Sequence, residues 1–221
     1  IPSRPEQMMV KVDELELTGK VAYVAVPLLT SQVFREAELT NSSSGALLPG
    51  PINSYLDEKF VGSGDLEALV SQGEEFALGF GVDSQLETHR RLVDRSETES
   101  WGKIHLTCEY EIGLTNYKDE AVTVLVKDRL PNVKDAEIEL SGFTSSESLA
   151  TDGYFVEYLK PLGMLRWSVD VPASAQRADI KALTYKYTLE YDKDMHIALP
   201  SATESNKREM KTLSSKRFTR W

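Results

Sequence analysis

The sequence has very few residues of the types that bind metals or attack substrates. Its 221 residues include one cysteine, Cys108, and three histidines, His89, His105 and His196. A single cysteine excludes an intrachain disulfide and a metal cluster held by thiolates. The histidines lie far apart and none has a neighbour at metal-ligand spacing, so each is interpreted as an exposed surface residue. We therefore predict no metal site and no cofactor.

The motifs that mark an active site are also absent. There is no Gly-x-Ser-x-Gly elbow and no P-loop, and Gly79-Phe80-Gly81 lacks the third glycine of a dinucleotide-binding motif. Asp192-Lys193-Asp194 lacks the remaining ligands of a calcium loop and is interpreted as a turn with two carboxylates. Glu137 and Glu139 are predicted on one outward strand face, whereas glycosidase carboxylates flank a substrate. We predict no catalytic residues and a protein that is not an enzyme.

Long apolar runs are missing too. No run approaches the ~20 residues that a membrane-spanning helix needs, so direct membrane insertion is not expected. The chain begins at Ile1, and neither a basic region nor an apolar leader follows it. We interpret the chain as a fragment of a longer protein, which leaves the cellular compartment open.

The charge is negative overall and unevenly distributed. The net charge is −10, but residues 201–221 carry six cations and two carboxylates, which leaves −14 on residues 1–200. An acidic body argues against nucleic-acid binding, which needs clustered cations. The basic tail is interpreted as a solvated terminal segment, with contact to an acidic partner as the alternative. His89-Arg90-Arg91 is interpreted as a solvated strand face, with anion binding as the alternative.

Alternation of apolar and polar residues dominates the rest of the chain. Ile104–Leu114 and Tyr185–Tyr191, for example, place apolar side chains on one face and polar ones on the other. This pattern predicts an all-β protein, an antiparallel β-sandwich whose second lobe is immunoglobulin-like. Cys108 and Trp167 are predicted in its core, the former as an inert thiol. Little helix is expected beyond a C-terminal one that starts near Ser201.

A division of the chain is predicted where the alternation stops. Asp94–Ser100 is polar and has no periodic pattern, which places a boundary near residue 97. We therefore predict a β-rich first lobe at residues 1–97, a β-sandwich second lobe at 98–200 and the basic tail at 201–221.

An asparagine closes a predicted strand in each lobe. The two sequences are Leu39-Thr40-Asn41 and Leu114-Thr115-Asn116, and asparagine turns the chain through its side-chain hydrogen bonds. Because the match is short, a weak internal repeat and chance similarity are both open explanations. Asn41-Ser42-Ser43 also fits a glycosylation sequon, a pattern that is common by chance.

The most specific stretch of the chain is Leu47–Gly62, which contains no reactive group. Pro49-Gly50-Pro51 predicts a turn, because glycine supplies a permissive backbone between two residues of fixed φ. An alternating strand follows, and a second turn is predicted at Asp57-Glu58-Lys59. The block therefore argues for a particular fold and leaves the function open.

Together with other blocks, this stretch resembles a known family. Those blocks are, in order, Tyr23–Pro27 with Val33–Ala37, Gly79–Asp83, Thr115–Asn116, Val122–Val124, Asp128–Pro131, Trp167–Val169 and Tyr185–Tyr187. Their order and spacing resemble the C-terminal domain of unknown function in mucoidy-inhibitor-A-like proteins, over residues 1–200. The resemblance implies a C-terminal part of a larger protein, an undefined molecular activity and a link to the bacterial envelope, so that a periplasmic or extracellular location is favoured.

Three functions are consistent with these observations. The leading hypothesis is a non-catalytic interaction or scaffold module that binds an unknown protein partner. The alternative is a carbohydrate-binding or carbohydrate-active domain that contacts polysaccharide through exposed aromatic residues, for which Tyr55, Tyr117 and Tyr158 are candidates. The third is self-association through unpaired sheet edges.

Overall fold

The structure is a computed structural model and describes residues 13–131, 133, 137–173 and 181–195. Of these residues, 63% lie in strands and 6% in helix, which confirms the predicted all-β sandwich. The strands are β1 (Gly19–Ala25), β2 (Gln32–Thr40), β3 (Gly50–Leu56), β4 (Lys59–Leu66), β5 (Glu75–Ser100), β6 (Lys103–Asn116), β7 (Val122–Arg129), β8 (Glu139–Ser145), β9 (Met164–Val171) and β10 (Lys181–Asp192).

Eight of these strands form one mixed sheet, in the order β8-β10-β6-β5-β2-β1-β7-β9. Neighbours are antiparallel except β1 and β7, which run parallel. The 26-residue β5 connects the two halves of the sheet, because its first part pairs with β2 and its second part with β6. Strands β3 and β4 form a separate two-stranded sheet, named here the β3–β4 hairpin.

The large sheet folds back on itself, so that its two ends enclose the core. Trp167 on β9 lies 5.6 Å from Tyr185 on β10, measured between ring centroids. The Trp167 indole Nε1–H also donates to the hydroxyl of Ser145 on β8, at 3.0 Å. Cys108 and Trp167 are both fully buried, as predicted, and burial raises the pKa of the Cys108 thiol. Strands β6, β8 and β10 thus face β7 and β9, the two-layer arrangement of a sandwich.

A short helical segment, residues 155–162, covers the outer face of β1 and β7. It is one π-helical turn, Phe155–Leu159, followed by one 3-10 turn, Lys160–Leu162. Phe155 and Leu159 are buried in a second apolar cluster with Val24 of β1 and Val26, which directly follows β1. The sequence does not predict this segment, because two turns are too short to show a helical period. No helix among the described residues is long and apolar enough to cross a membrane.

Two expectations about which residues form strands were wrong. Asp94–Ser100, interpreted as irregular, is the end of β5, and all of its residues are exposed. Because neither face of this part of the strand is buried, selection for an alternating pattern is absent. Glu137 lies in a turn before β8, so only Glu139 belongs to that strand. The carboxylates of these two residues therefore do not share a strand face.

The predicted division near residue 97 falls inside β5, three residues before its end. Strands from both sides of that position share one sheet. The division into lobes stays a prediction about folding units. The tail at 201–221, its expected helix and His196 lie outside the residues that the structure describes.

Candidate interaction surface

The turn of the β3–β4 hairpin has an unusual backbone for its sequence. Asp57 and Glu58 are its two central residues and both have positive φ, 48° and 63°. Two-residue hairpin loops favour this conformation because it matches the twist of the strands, and they usually contain asparagine or glycine. A side chain larger than glycine in this region costs about 1–2 kcal/mol per residue. The sequence therefore keeps two exposed carboxylates at the tip at a cost in stability.

One face of the hairpin is fixed against β5. Gly81 has φ of +73°, and a Cβ atom built there would lie 2.2 Å from the carbonyl oxygen of Val61 on β4. Gly62 of β4 approaches the same residue, and the buried hydroxyl of Ser54 on β3 donates to the carbonyl of Gly79 at 2.7 Å. Glycine is required at position 81 because two backbones meet there. The hairpin is thus docked in one orientation.

The opposite face of the hairpin carries an exposed aromatic pair, named here the aromatic face. Tyr55 and Phe60 are cross-strand partners, with ring centroids 5.7 Å apart and an interplanar angle of 70°. They are 56% and 59% exposed, and Leu48 before β3 and Leu56 at its end are exposed as well. Large apolar side chains grouped in this way on a surface mark binding sites, and aromatic residues are enriched at protein interfaces.

The surroundings of the aromatic face are acidic. Residues 47–70 contain four carboxylates and one cation, all of them exposed: Asp57, Glu58, Asp65, Glu67 and Lys59. This excess of negative charge favours partners that carry positive charge, because complementary charges speed encounter and disfavour acidic competitors.

The predicted surface histidines lie on the outward face of the sheet. The imidazole of His89 lies over Gly113, and its Nε2 is 3.9 Å from Glu111 Oε1, which also accepts from Arg91 Nε at 2.9 Å. His105 is half-buried, and its Nδ1 lies 3.6 Å from a carboxylate oxygen of Glu190. These are cross-strand contacts on an open sheet surface, and an exposed ion pair such as Arg91 with Glu111 contributes little to stability.

Other residues considered from the sequence have local structural roles. Asp192 accepts the backbone N–H of Asp194 at 3.0 Å, as the turn interpretation requires. Among the described residues, no group of three or more histidine, cysteine, aspartate or glutamate side chains could hold a metal ion. Asn41 of the glycosylation sequon is fully buried and its amide group donates to two carbonyls. An oligosaccharide cannot be attached at that position in the folded chain.

A buried ionic network, which the sequence did not predict, joins the two layers. Arg90 Nε on β5 donates to Asp128 Oδ2 on β7 at 2.8 Å, and the Tyr185 hydroxyl on β10 donates to the same oxygen at 2.8 Å. The Arg90 guanidinium lies 3.8 Å from the centroid of the Tyr110 ring. Asp128 is fully buried. The burial of Tyr185 itself and the negative charge of Asp128 raise the pKa of Tyr185 well above its ordinary value. Arg90 is therefore not part of a solvated strand face, as interpreted for His89-Arg90-Arg91, and this enclosed network is structural.

A second ionic cluster surrounds Asp83, which is also fully buried. Its carboxylate pairs with Arg35 Nη2 and Lys118 Nζ, each at 2.8 Å, and accepts the backbone N–H of Gln85 at 3.0 Å. Burial alone would raise the pKa of Asp83, but the hydrogen bonds from Lys118, Gln85 and Arg35 outweigh it and the pKa is lowered.

This lowered pKa predicts a loss of stability in acid. The carboxylate stabilises the fold fully above its unfolded pKa of about 4, and this contribution is lost as the pH falls through the lower folded pKa. Urea denaturation between pH 7 and pH 2.5 should therefore show a smaller acid loss for Asp83→Asn than for the wild type. Equal acid losses in the two proteins would contradict this assignment.

The fold and its surface define a class: an all-β sandwich domain from which an aromatic hairpin projects. Residues 1–193 match the family described as domain of unknown function DUF4139, and the chain belongs to this family. No curated protein and no solved structure matches the chain.

Proposed function

We propose that the protein is a non-catalytic, β-rich interaction module and that the aromatic face of the β3–β4 hairpin is its contact surface for another protein. The observation that carries this proposal is the pair Tyr55 and Phe60, more than half exposed on a hairpin whose other face is fixed to β5. Aromatic side chains have only two rotatable bonds, so they supply a large contact area at a low cost in conformational entropy.

The geometry supports a protein partner more than a sugar. Tyr55, Tyr117 and Tyr158 are all exposed, as predicted, but they belong to the hairpin, the β6–β7 loop and the helical segment respectively. The rings of Tyr55 and Phe60 meet at 70°, so they do not form a coplanar platform on which a pyranose ring would stack. Edge-to-face rings instead form a ridge that fits a pocket or a groove between apolar side chains.

Side-chain contact is also favoured over pairing of sheet edges. Beyond its pairing with β2, β5 carries charges of both signs and has a bulge between Leu92 and Asp94. On β3, Pro51 and the preceding Pro49 lack backbone N–H groups. Charges, bulges and prolines are the devices by which natural sheets prevent edge-to-edge association.

The resemblance to mucoidy-inhibitor-A-like proteins supports a place for this module at the bacterial envelope. There it would hold a larger protein against its partner.

Site-specific photo-crosslinking in the native host tests the proposed function. A photoreactive p-benzoylphenylalanine replaces Phe60 in the full chain, and the matched control carries it at the exposed Thr98 of β5. We expect one defined polypeptide to be crosslinked from position 60 and not from position 98. The additional substitution Tyr55→Ser should reduce the yield of that product about tenfold. This corresponds to a loss of ~1.4 kcal/mol of binding free energy when one aromatic side chain is removed from the interface. Equal products from both positions, or none from position 60, would exclude the hairpin as the contact surface.

A further inference from the structure

The turn between β5 and β6 carries a fully exposed tryptophan. Trp101 and Gly102 form a two-residue loop after Ser100, and both have positive φ, 54° and 79°. Such loops favour Asn-Gly, and a bulky side chain at positive φ is an outlier. The next most exposed large apolar side chain among the described residues is Leu48, which is 74% exposed. The sequence thus keeps an aromatic ring where its backbone conformation and its exposure both disfavour it.

The neighbouring strand β10 holds this turn in place. The backbone N–H of Lys193 donates to the carbonyl of Gly102 at 3.2 Å. Beside the turn, the Lys103 ammonium forms an ion pair with Glu190. A tryptophan side chain has only two rotatable bonds, so it supplies a large contact area at a low cost in conformational entropy, and tryptophan is enriched among the residues that dominate binding energy. Residues Ser100–Lys103, named here the Trp101 tip, therefore form a candidate contact.

The surroundings of the Trp101 tip are acidic. Residues 97–103 and 190–194 together contain five carboxylates and two lysines, which gives a formal charge of −3. This charge disfavours an anionic membrane surface and nucleic acid as partners. It favours an apolar pocket that contains a cation, because complementary charges select between partners.

A cavity of about 370 Å³ on the outer face of β1 and β2 has this chemistry. Val24, Leu29 and Phe34 are among its apolar walls. Its volume falls within the range of about 300–1,000 Å³ that is typical of ligand pockets, so it can hold one indole. Two charged residues, Glu36 on β2 and Lys127 on β7, also line it. A carboxylate can accept the N–H that a buried indole must satisfy, and an ammonium binds the face of the ring.

The cavity and the Trp101 tip lie far apart in one chain. Phe34 in the cavity wall pairs with Val82 of β5, and Ser100 at the end of β5 is 18 residues further along the same strand. At a rise of about 3.3 Å per residue, this separation is on the order of 50–60 Å. The indole that fills the cavity must therefore come from another molecule.

We propose that the indole of Trp101 inserts into this cavity of a second copy of the chain. Each copy then offers one tip and one cavity, so the contact is head-to-tail and adds further copies until a ring closes or a filament grows. The aromatic face of the β3–β4 hairpin takes no part in this contact. The inference therefore goes beyond the proposed function and does not depend on it.

Size-exclusion chromatography with light scattering on the purified full chain tests this inference. We expect the average mass of the wild type to rise with concentration, and Trp101→Ser to lower the association constant about tenfold or more. Thr30→Glu should have a similar effect, because Thr30 lines the cavity and a carboxylate there obstructs it and repels the acidic tip. The matched controls are Tyr117→Ser, which removes another exposed aromatic ring, and Thr30→Ser. Both should associate like the wild type, and circular dichroism verifies that the sheet is intact in each variant.

A mixture of the two association-deficient variants tests the head-to-tail arrangement. Trp101→Ser retains an intact cavity, and Thr30→Glu retains an intact Trp101. The equimolar mixture should therefore form dimers and nothing larger, although each variant alone is monomeric. Formation of the dimer should also shift the tryptophan emission to shorter wavelength, because the indole of Trp101 leaves water.

Three results would each overturn the inference. The first is a wild type that stays monomeric up to about 1 mM, the range of the weakest specific contacts. The second is association that Trp101→Ser leaves unchanged, which would place the contact elsewhere, for example at unpaired sheet edges. The third is a mixture of the two variants that stays monomeric. None of these results affects the proposed function, which crosslinking from position 60 decides. A crosslink from position 98, close to the tip, would join two copies of this chain and differ from the product expected from position 60.

Discussion

Replacing Asp128 by alanine is expected to lower the free energy of unfolding by about 3–5 kcal/mol. The substitution leaves the Arg90 guanidinium buried between the two layers without its counterion, and it removes the acceptor of the Tyr185 hydroxyl. An uncompensated buried charge is among the most destabilising defects in a folded protein. Equilibrium denaturation in urea measures the loss.

The matched control is Asp170→Ala on the neighbouring strand. The Asp170 side chain is exposed and accepts one hydrogen bond, from the Thr123 hydroxyl at 2.6 Å, so its loss should cost about 1 kcal/mol or less. In the double variant Asp128→Ala with Arg90→Met, much of the stability should return, because a methionine side chain needs no counterion. If Asp128→Ala and Asp170→Ala lower the free energy of unfolding by the same amount, the buried network contributes no more to stability than an exposed hydrogen bond.

The substitution Gly81→Ala is expected to destabilise the protein by about 2–3 kcal/mol. The new methyl group would lie 2.2 Å from the Val61 carbonyl oxygen, and alanine disfavours a φ of +73°. Because the clash is with backbone, the hairpin must move away from β5. Hydrogen exchange at the β3 and β4 amides should therefore increase more than exchange in β6 and β10.

Gly79→Ala is the control for Gly81→Ala. It lies two residues away on the same strand, and a Cβ atom built there has no neighbour within 4 Å. The free energy of unfolding of Gly79→Ala should stay within about 0.5 kcal/mol of that of the wild type. Should Gly79→Ala prove as destabilising as Gly81→Ala, the close approach of β4 to β5 would be refuted.

The sequence predicted those strands of which one face is buried and the other solvated. Along β6, Leu106, Cys108 and Tyr110 alternate with polar residues, and all three are buried as expected. Asp94–Ser100 gave no such signal, because all residues at this end of β5 are exposed and neither of its faces is buried. An alternating pattern arises only where one face of a strand is buried and the other is solvated, and at this end of β5 both faces are solvated.

The candidate site was only partly visible in the sequence. Leu47–Gly62 was recognised as specific, but its turn was interpreted as Asp57-Glu58-Lys59, whereas the loop consists of Asp57 and Glu58 alone. A shift of one residue in register moves Phe60 away from Tyr55, so the aromatic pair was missed. The burial of Asp128 could have been predicted from the sequence, because Asp128 continues the buried alternation of Val122, Val124 and Val126. A carboxylate in that position needs a buried partner.

The parallel pairing of β1 with β7 determines the order in which the sheet can assemble. Tyr23 aligns with Val124, so about 100 residues must be in place before β1 gains its second neighbour. Closing so long a loop is entropically unfavourable, which places the protein among slowly folding β topologies, with refolding expected in milliseconds to seconds. On the ribosome, β1 and β2 emerge before β7, and β1 has one open edge until β7 has been synthesised. During that interval the nascent chain is most exposed to aggregation.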